Sequence, residues 1–232
     1  MKLATIALLG ILLLASLPSM MADEKAAGPA GAGQVALAFT GGSAYTTATG
    51  GVCIWYPVLL GDLNLGSLFE SLSGAPKVDK EHAYLIWVSD FESLPQTPFL
   101  LPPSSKGLLT LQLVPAGTAT IYFTDVPRLR NWTDLTKRTT WGTPVATFDR
   151  KAGIFQSTDG GMSGALPISA QLTSSKPFKV NGVTFDFKDL IPHGMTCFET
   201  GFSGTTSKKD KKSNDDGGDD EAGTCIAIGP GQ

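Results

Sequence analysis

Beyond residue 34, hydrophobic positions come in short runs, some alternating and some continuous, cut by Gly, Pro, Asn and Ser. These runs fall at 35–39, 52–57, 83–89, 108–114, 119–124, 144–148, 167–173, 177–180, 183–188, 195–199 and 224–228. Period-two alternation between turn residues predicts strands. Many short strands predict an all-β, mostly antiparallel β-sandwich, or a partly open barrel. Only residues 63–72 (LNLGSLFESL) space Leu65, Leu68, Phe69 and Leu72 as a short helix would.

Two hairpins stand out. In KPFKVNGVTFDFK (176–188), Asn181 and Gly182 supply the two positive-φ residues of a type I′ turn. That turn sets Val180 against Val183, Phe178 against Phe185 and Lys179 against Thr184, giving one dry face and one wet face. A second hairpin is expected where Leu109, Leu111 and Leu113 run into Ile121 and Phe123. Val114, Pro115, Ala116 and Gly117 would form its turn, since Pro presets φ and Gly closes it.

The chain begins with a basic Met1-Lys2, an apolar run at 3–17, Pro18 and a small Ala22. This is the order of a cleavable signal peptide, and the run is short of the roughly 20 residues a membrane span needs. Residues 1–22 are therefore expected to be removed, 23–33 (DEKAAGPAGAG) to be a disordered linker, and 34–232 to form a single β-rich domain. The expected location is secreted or periplasmic, with no stable membrane span after cleavage.

Lys2 is the leader's only charge, so the mature 210 residues carry 17 basic and 21 acidic side chains, a net charge of −4. That balance does not suit nucleic acid, which calls for a basic face. Residues 208–221 concentrate four Lys and six acids, and 203–222 reads as a disordered charged insertion. Its acids and glycines would also suit a calcium-dependent adhesive domain, but they lack the alternating ligand spacing of a calcium loop. Three cysteines and two histidines, all far apart, make no metal-ligand spacing, so neither metal nor cofactor is expected.

In an oxidising compartment two of Cys53, Cys197 and Cys225 should pair. Cys197 and Cys225 lie in β-like runs that bracket the charged segment, and their pairing is favoured over one involving Cys53.

The segment 128–141 (RLRNWTDLTKRTTW) has the clearest binding character. Arg128, Arg130, Lys137 and Arg138 against Asp134 give it a local charge of +3, flanked by Trp132 and Trp141. Arg beside Trp suits a glycan or an anionic cell-surface ligand, although the same tryptophans also suit a core edge. Asn131-Trp132-Thr133 is a glycosylation sequon. An enzymatic alternative is a secreted serine hydrolase with Ser163 between glycines as nucleophile, His82 as base and Asp125 as orienter. His193, near Asp186 and Asp189, reads as a loop histidine.

The reading the residues favour is a secreted, non-enzymatic binding or structural module. The intact mass of the exported protein should correspond to a chain starting at or near Asp23. A mass that retains residues 1–22 would refute cleavage.

Overall fold

A computed structural model describes residues 28–229 apart from 42–44, 48–49, 73, 93–98, 102–109, 115, 134–136, 152, 159–162 and 203–219. The expected signal peptide and residues 203–219 of the charged segment lie outside the described residues. The strands in chain order are β1 (Val35–Gly41), β2 (Tyr45–Thr47), β3 (Gly50–Leu60), β4 (Leu63–Asn64), β5 (Ser71–Leu72) and β6 (Ala75–Pro76). They continue with β7 (Leu85–Glu92), β8 (Phe99–Leu101), β9 (Thr110–Val114), β10 (Gly117–Phe123), β11 (Thr143–Arg150) and β12 (Gly153–Thr158). The last are β13 (Ser163–Ser175), β14 (Phe178–Val180), β15 (Val183–Phe185), β16 (Met195–Phe202) and β17 (Asp220–Ala227). Two single-turn α-helices, α1 (Leu65–Leu68) and α2 (Phe187–Leu190), and two 3-10 turns, Pro127–Leu129 and Arg138–Thr140, complete the set among the described residues.

The fold is all-β and antiparallel. Where a sandwich was the first expectation, the strands close into a barrel of order β1-β3-β7-β10-β11-β13-β16-β17, with β17 returning to β1. Closure comes from β11 pairing with the C-terminal half of β13, from Ala146↔Ser175 to Arg150↔Ala170. Sandwich and barrel strands share the same alternation, so the periodicity alone does not separate them. The N-terminal part of β13 pairs instead with β12, and β9 and β8 extend the sheet beyond the ring.

The expected 109–123 hairpin is corrected. β10 pairs with β7 and β11, while β9 pairs with β8 and β12. Gly117↔Arg150 and Val114↔Gly153 belong to one long ribbon, in which 110–123 runs against 143–157. The ribbon leaves the ring between Gly117, whose partner Arg150 lies in the wall, and Val114, whose partner Gly153 lies beyond it. The helix expected over 63–72 shrinks to α1, capped by Asn64, whose Oδ1 accepts from the Gly66 N–H. Phe69 is already extended and pairs with Ala83.

The 176–188 hairpin has the expected register, and Asn181 and Gly182 both take positive φ (49° and 82°). Together with α2 it plugs the end of the barrel where β11 begins. Phe178 stacks on Phe185 and Phe187, and Phe187 meets Phe148 of the barrel wall edge-on at 5.9 Å. Residues at the end of the lead-in pack nearby, with the Ala30 N–H donating to the Leu190 carbonyl and the Gly33 N–H to the Ala227 carbonyl.

Inside the ring, Phe39, Trp55 and Trp87 meet one another edge-to-face at 5.5–5.6 Å. Room for Phe39 depends on Gly223 across the β1–β17 pair. A Cβ at Gly223 would lie 2.5 Å from Phe39 Cζ and 2.4 Å from the Phe198 carbonyl oxygen. Gly223→Val should therefore lower stability by about 1–3 kcal/mol through overpacking. Thr224→Val, at the neighbouring exposed position, should stay within about 0.5 kcal/mol. Urea midpoints of the two variants decide this, and equal midpoints would contradict the packing described.

Candidate functional site

Two places combine chemistry with defined geometry: the connection from β10 to β11, and the barrel interior near the mouth opposite the plug. The connection contains all six of the binding residues proposed from sequence, and the structure divides them into supports and outward groups. Arg130 is buried and donates to three backbone carbonyls, those of Ala83, Tyr84 and Trp141. Burial pushes its guanidinium down to about 9, which leaves it cationic at neutral pH. Trp141 is fully buried, stands edge-on to Tyr122 at 5.9 Å, and donates its Nε1–H to the Asn131 carbonyl. Arg138 makes a two-pronged ion pair with Asp90 of β7, which raises its pKa above the ordinary arginine value. These contacts fix the underside of the connection to the outside of the barrel wall.

Its outward side is different. Leu129 is 71% exposed and Val126 47%. Arg128 is exposed and pairs with Glu70 at 2.8 Å, while Lys137 is exposed. Trp132 is half-buried, leans on Trp141 at 5.7 Å, and has Lys80 Nζ 5.9 Å from its ring centroid. Lys80 lies outside the basic segment, so the run of charge at 128–138 could not reveal it. Asn131 of the sequon is exposed, and its Oδ1 accepts from the Thr133 N–H at 2.9 Å and from the Thr133 hydroxyl at 2.6 Å.

The second place was not signalled by any motif. Alternation puts Cys197 and Glu199 of β16 on the inner face with Glu221, Gly223 and Cys225 of β17. Cys197 and Cys225 are directly opposed and joined by a disulfide, while Cys53 is buried and takes no part in it. Trp55 Nε1–H donates to Glu221 Oε2 at 2.7 Å. Arg150, 2% exposed, donates through Nη2 to the Asp90 carbonyl at 3.1 Å. Burial, then the charge of Glu221 and a hydrogen bond with it, push the Glu199 carboxyl up to about 10. Arg150 and Trp55 oppose that shift without overcoming it. Burial likewise lowers the Arg150 pKa.

The proposed triad is not brought together. His82 is buried ahead of β7, near the plugged end, and its Nδ1–H donates to Asp79 Oδ1 at 2.6 Å, so Asp79 rather than Asp125 engages it. Burial tends to raise the Asp79 pKa, but hydrogen bonds from His82 and Lys77 outweigh it and hold the carboxyl below its usual value. Asp125 lies in the turn after β10. Ser163 opens β13 at the opposite end of the wall, with its backbone paired to Thr158 and Phe202. His193 is exposed in the turn before β16. Most of the acidic run proposed for calcium lies outside the described residues, and Asp220 and Glu221 belong to β17. Among the described residues, no group of three or more His, Cys, Asp or Glu converges as a metal site would, and no helix is long and apolar enough to cross a membrane.

The fold and these sites define a closed, plugged antiparallel barrel that carries an anchored cationic connection on its outer wall. No family model, curated protein or solved structure matches the chain.

The interior acid makes a pH prediction. Glu199 has a folded-state pKa above its ordinary 4.5, so its contribution is fully present below that value and is lost as pH rises towards about 10. The slope is at most about 1.4 kcal/mol per pH unit. Glu199→Gln keeps the neutral form throughout. It should match or exceed wild-type stability at mildly alkaline pH and show a flatter melting temperature between about pH 5 and about pH 9. Wild-type and variant curves that run parallel would assign the titration to another group.

Proposed function

We propose that this protein is an exported, non-enzymatic binding module that recognises an anionic ligand, such as an acidic glycan of a cell surface, through the outward side of the 125–141 connection. The observation that carries this reading is the contrast between the two sides of one loop. Arg130, Trp141 and the Arg138–Asp90 pair hold its underside, while Val126, Arg128, Leu129 and Lys137 are exposed and Lys80 lies over the Trp132 ring. Groups presented on an anchored backbone lose little entropy on binding, so modest contacts become useful affinity. Leu129 is the most exposed large hydrophobic side chain among the described residues, and it follows Arg128 directly in the chain. The ammonium over Trp132 favours an anion over a neutral sugar, because a neutral ring would have to displace that charge to stack. Export rests on the leader pattern alone.

Retention of the mature protein on immobilised heparin, compared with uncharged dextran, tests the proposal. Wild type should be retained at roughly 50 mM salt and released as salt screens the contact. A Lys80→Ala, Lys137→Ala double variant should bind about tenfold more weakly, equivalent to about 1.4 kcal/mol, with a melting temperature close to that of wild type. No retention of wild type at low salt, or equal retention of the variant, would overturn the assignment.

A further inference from the structure

A recess lies at the plugged end, between the lead-in, β1 and the turn from β3 to β4. Its volume is about 210 Å³, and Pro29, Gln34, Val35, Gly61, Asp62 and Leu190 are among its lining residues. Backbone contacts fix its walls. Gly61 and Asp62 form a two-residue hairpin turn between the paired Leu60 and Leu63, with Gly61 supplying the positive φ (54°) that its first position requires. The Gly61 N–H donates to the Ala36 carbonyl. On the other side, Ala30 donates to Leu190, Gly33 to Ala227 and Gln34 to Gly31, each through its backbone N–H. Two side chains bring in polar groups that have no partner among the described residues. The Asp62 carboxylate, exposed on the turn, makes neither a hydrogen bond nor an ion pair. Gln34 Oε1 accepts from the Gly31 N–H at 2.9 Å, which assigns the amide and leaves the Nε2 donors unused.

We propose that this recess binds one neutral pyranose ring at the end of a saccharide chain. The two unused groups set complementary demands. A carboxylate only accepts and an amide NH₂ only donates, so the ligand must donate to one and accept from the other. An ammonium ion offers Gln34 no acceptor. An anion would meet Asp62 with no Lys, Arg or His among the described lining residues to offset it. Hydroxyl groups do both. Two neighbouring hydroxyls can donate side by side to one carboxylate, in bonds about twice as strong as neutral ones. Pro29 and Val35, the latter 43% exposed, offer an apolar edge to the C–H face of the ring. The recess is smaller than the roughly 300–1,000 Å³ that holds a drug-sized ligand, which limits it to a single ring. Both polar groups stand on pinned backbone, so little ordering is needed on binding. The site shares no residue with the 125–141 connection and does not depend on the reading given to it.

NMR of the isotope-labelled protein tests the site, with glucose, mannose, galactose and N-acetylglucosamine added one at a time. At least one sugar should shift the Gln34 side-chain amide and the Gly61 and Asp62 backbone amides saturably, with a millimolar Kd. Asp62→Asn and Gln34→Glu should each weaken that sugar about tenfold, since each removes a hydrogen bond with the charged or donating group. Both variants should melt close to wild type, because Asp62 is exposed and a carboxylate at position 34 still accepts from the Gly31 N–H. The Lys80→Ala, Lys137→Ala variant should bind the sugar as wild type does, which separates this site from the loop. Chain ends are sparse on dextran, so its use above as the uncharged comparison stands. If no sugar moves these resonances, or if the Asp62 and Gln34 variants bind like wild type, the proposal is overturned. Ethylammonium saturating the same resonances at lower concentration than any sugar would overturn it too, by making the recess a cation site.

Discussion

Pairing of β11 with β13 closes the ring, and most of the other features depend on it. An antiparallel ring of eight strands has an interior just wide enough for side chains to fill. Once closed, every inward position must be matched in size to the positions facing it. The matching is visible at Phe39, Trp55 and Trp87, which fit together because Gly223, Ala119 and Ala170 are small. From there contacts continue through Phe148 to Phe187 and Phe178 of the plug. Each well-oriented aromatic pair adds about 0.5–1.5 kcal/mol beyond its burial. Wall and plug are thus cores of one kind, joined through Phe148.

The polar groups follow the same geometry. Near the mouth, where β16, β17, β3 and β11 converge, the inner face holds Glu199, Glu221, Trp55 and Arg150 instead of more aliphatics. Ions taken out of water are costly unless they are paired or neutralised. Here the wall does both: Glu199 is held protonated, and Glu221 accepts from Trp55. On the outer wall Arg130 meets the same requirement with backbone carbonyls, which its planar fork of donors can reach simultaneously.

Features set by local chemistry were legible in the sequence. Asn181 and Gly182 dictate a turn whatever surrounds them, and the inward parity of Cys197 and Cys225 follows from two short alternating runs. Longer-range features were not. The residues from Val114 to Gly117 suit a hairpin turn by composition, and only the partners of β9 and β10 show that one ribbon runs on instead. The basic character of 128–138 was readable, but not that Arg130 and Trp141 face inward, because an irregular connection has no period. Glu199 was hidden because its neighbour Phe198, the more hydrophobic residue, is the one that faces out, half exposed. Parity counted from Cys197 would have placed Glu199 inside.

The Cys197–Cys225 bridge has a consequence for chain topology. It joins β16 to β17 across opposed residues, and residues 203–219 are the whole connection between those strands. A cut anywhere in that connection yields two polypeptides that stay covalently joined and keep their full strand register. The covalent continuity of the barrel therefore does not run through its most charged segment.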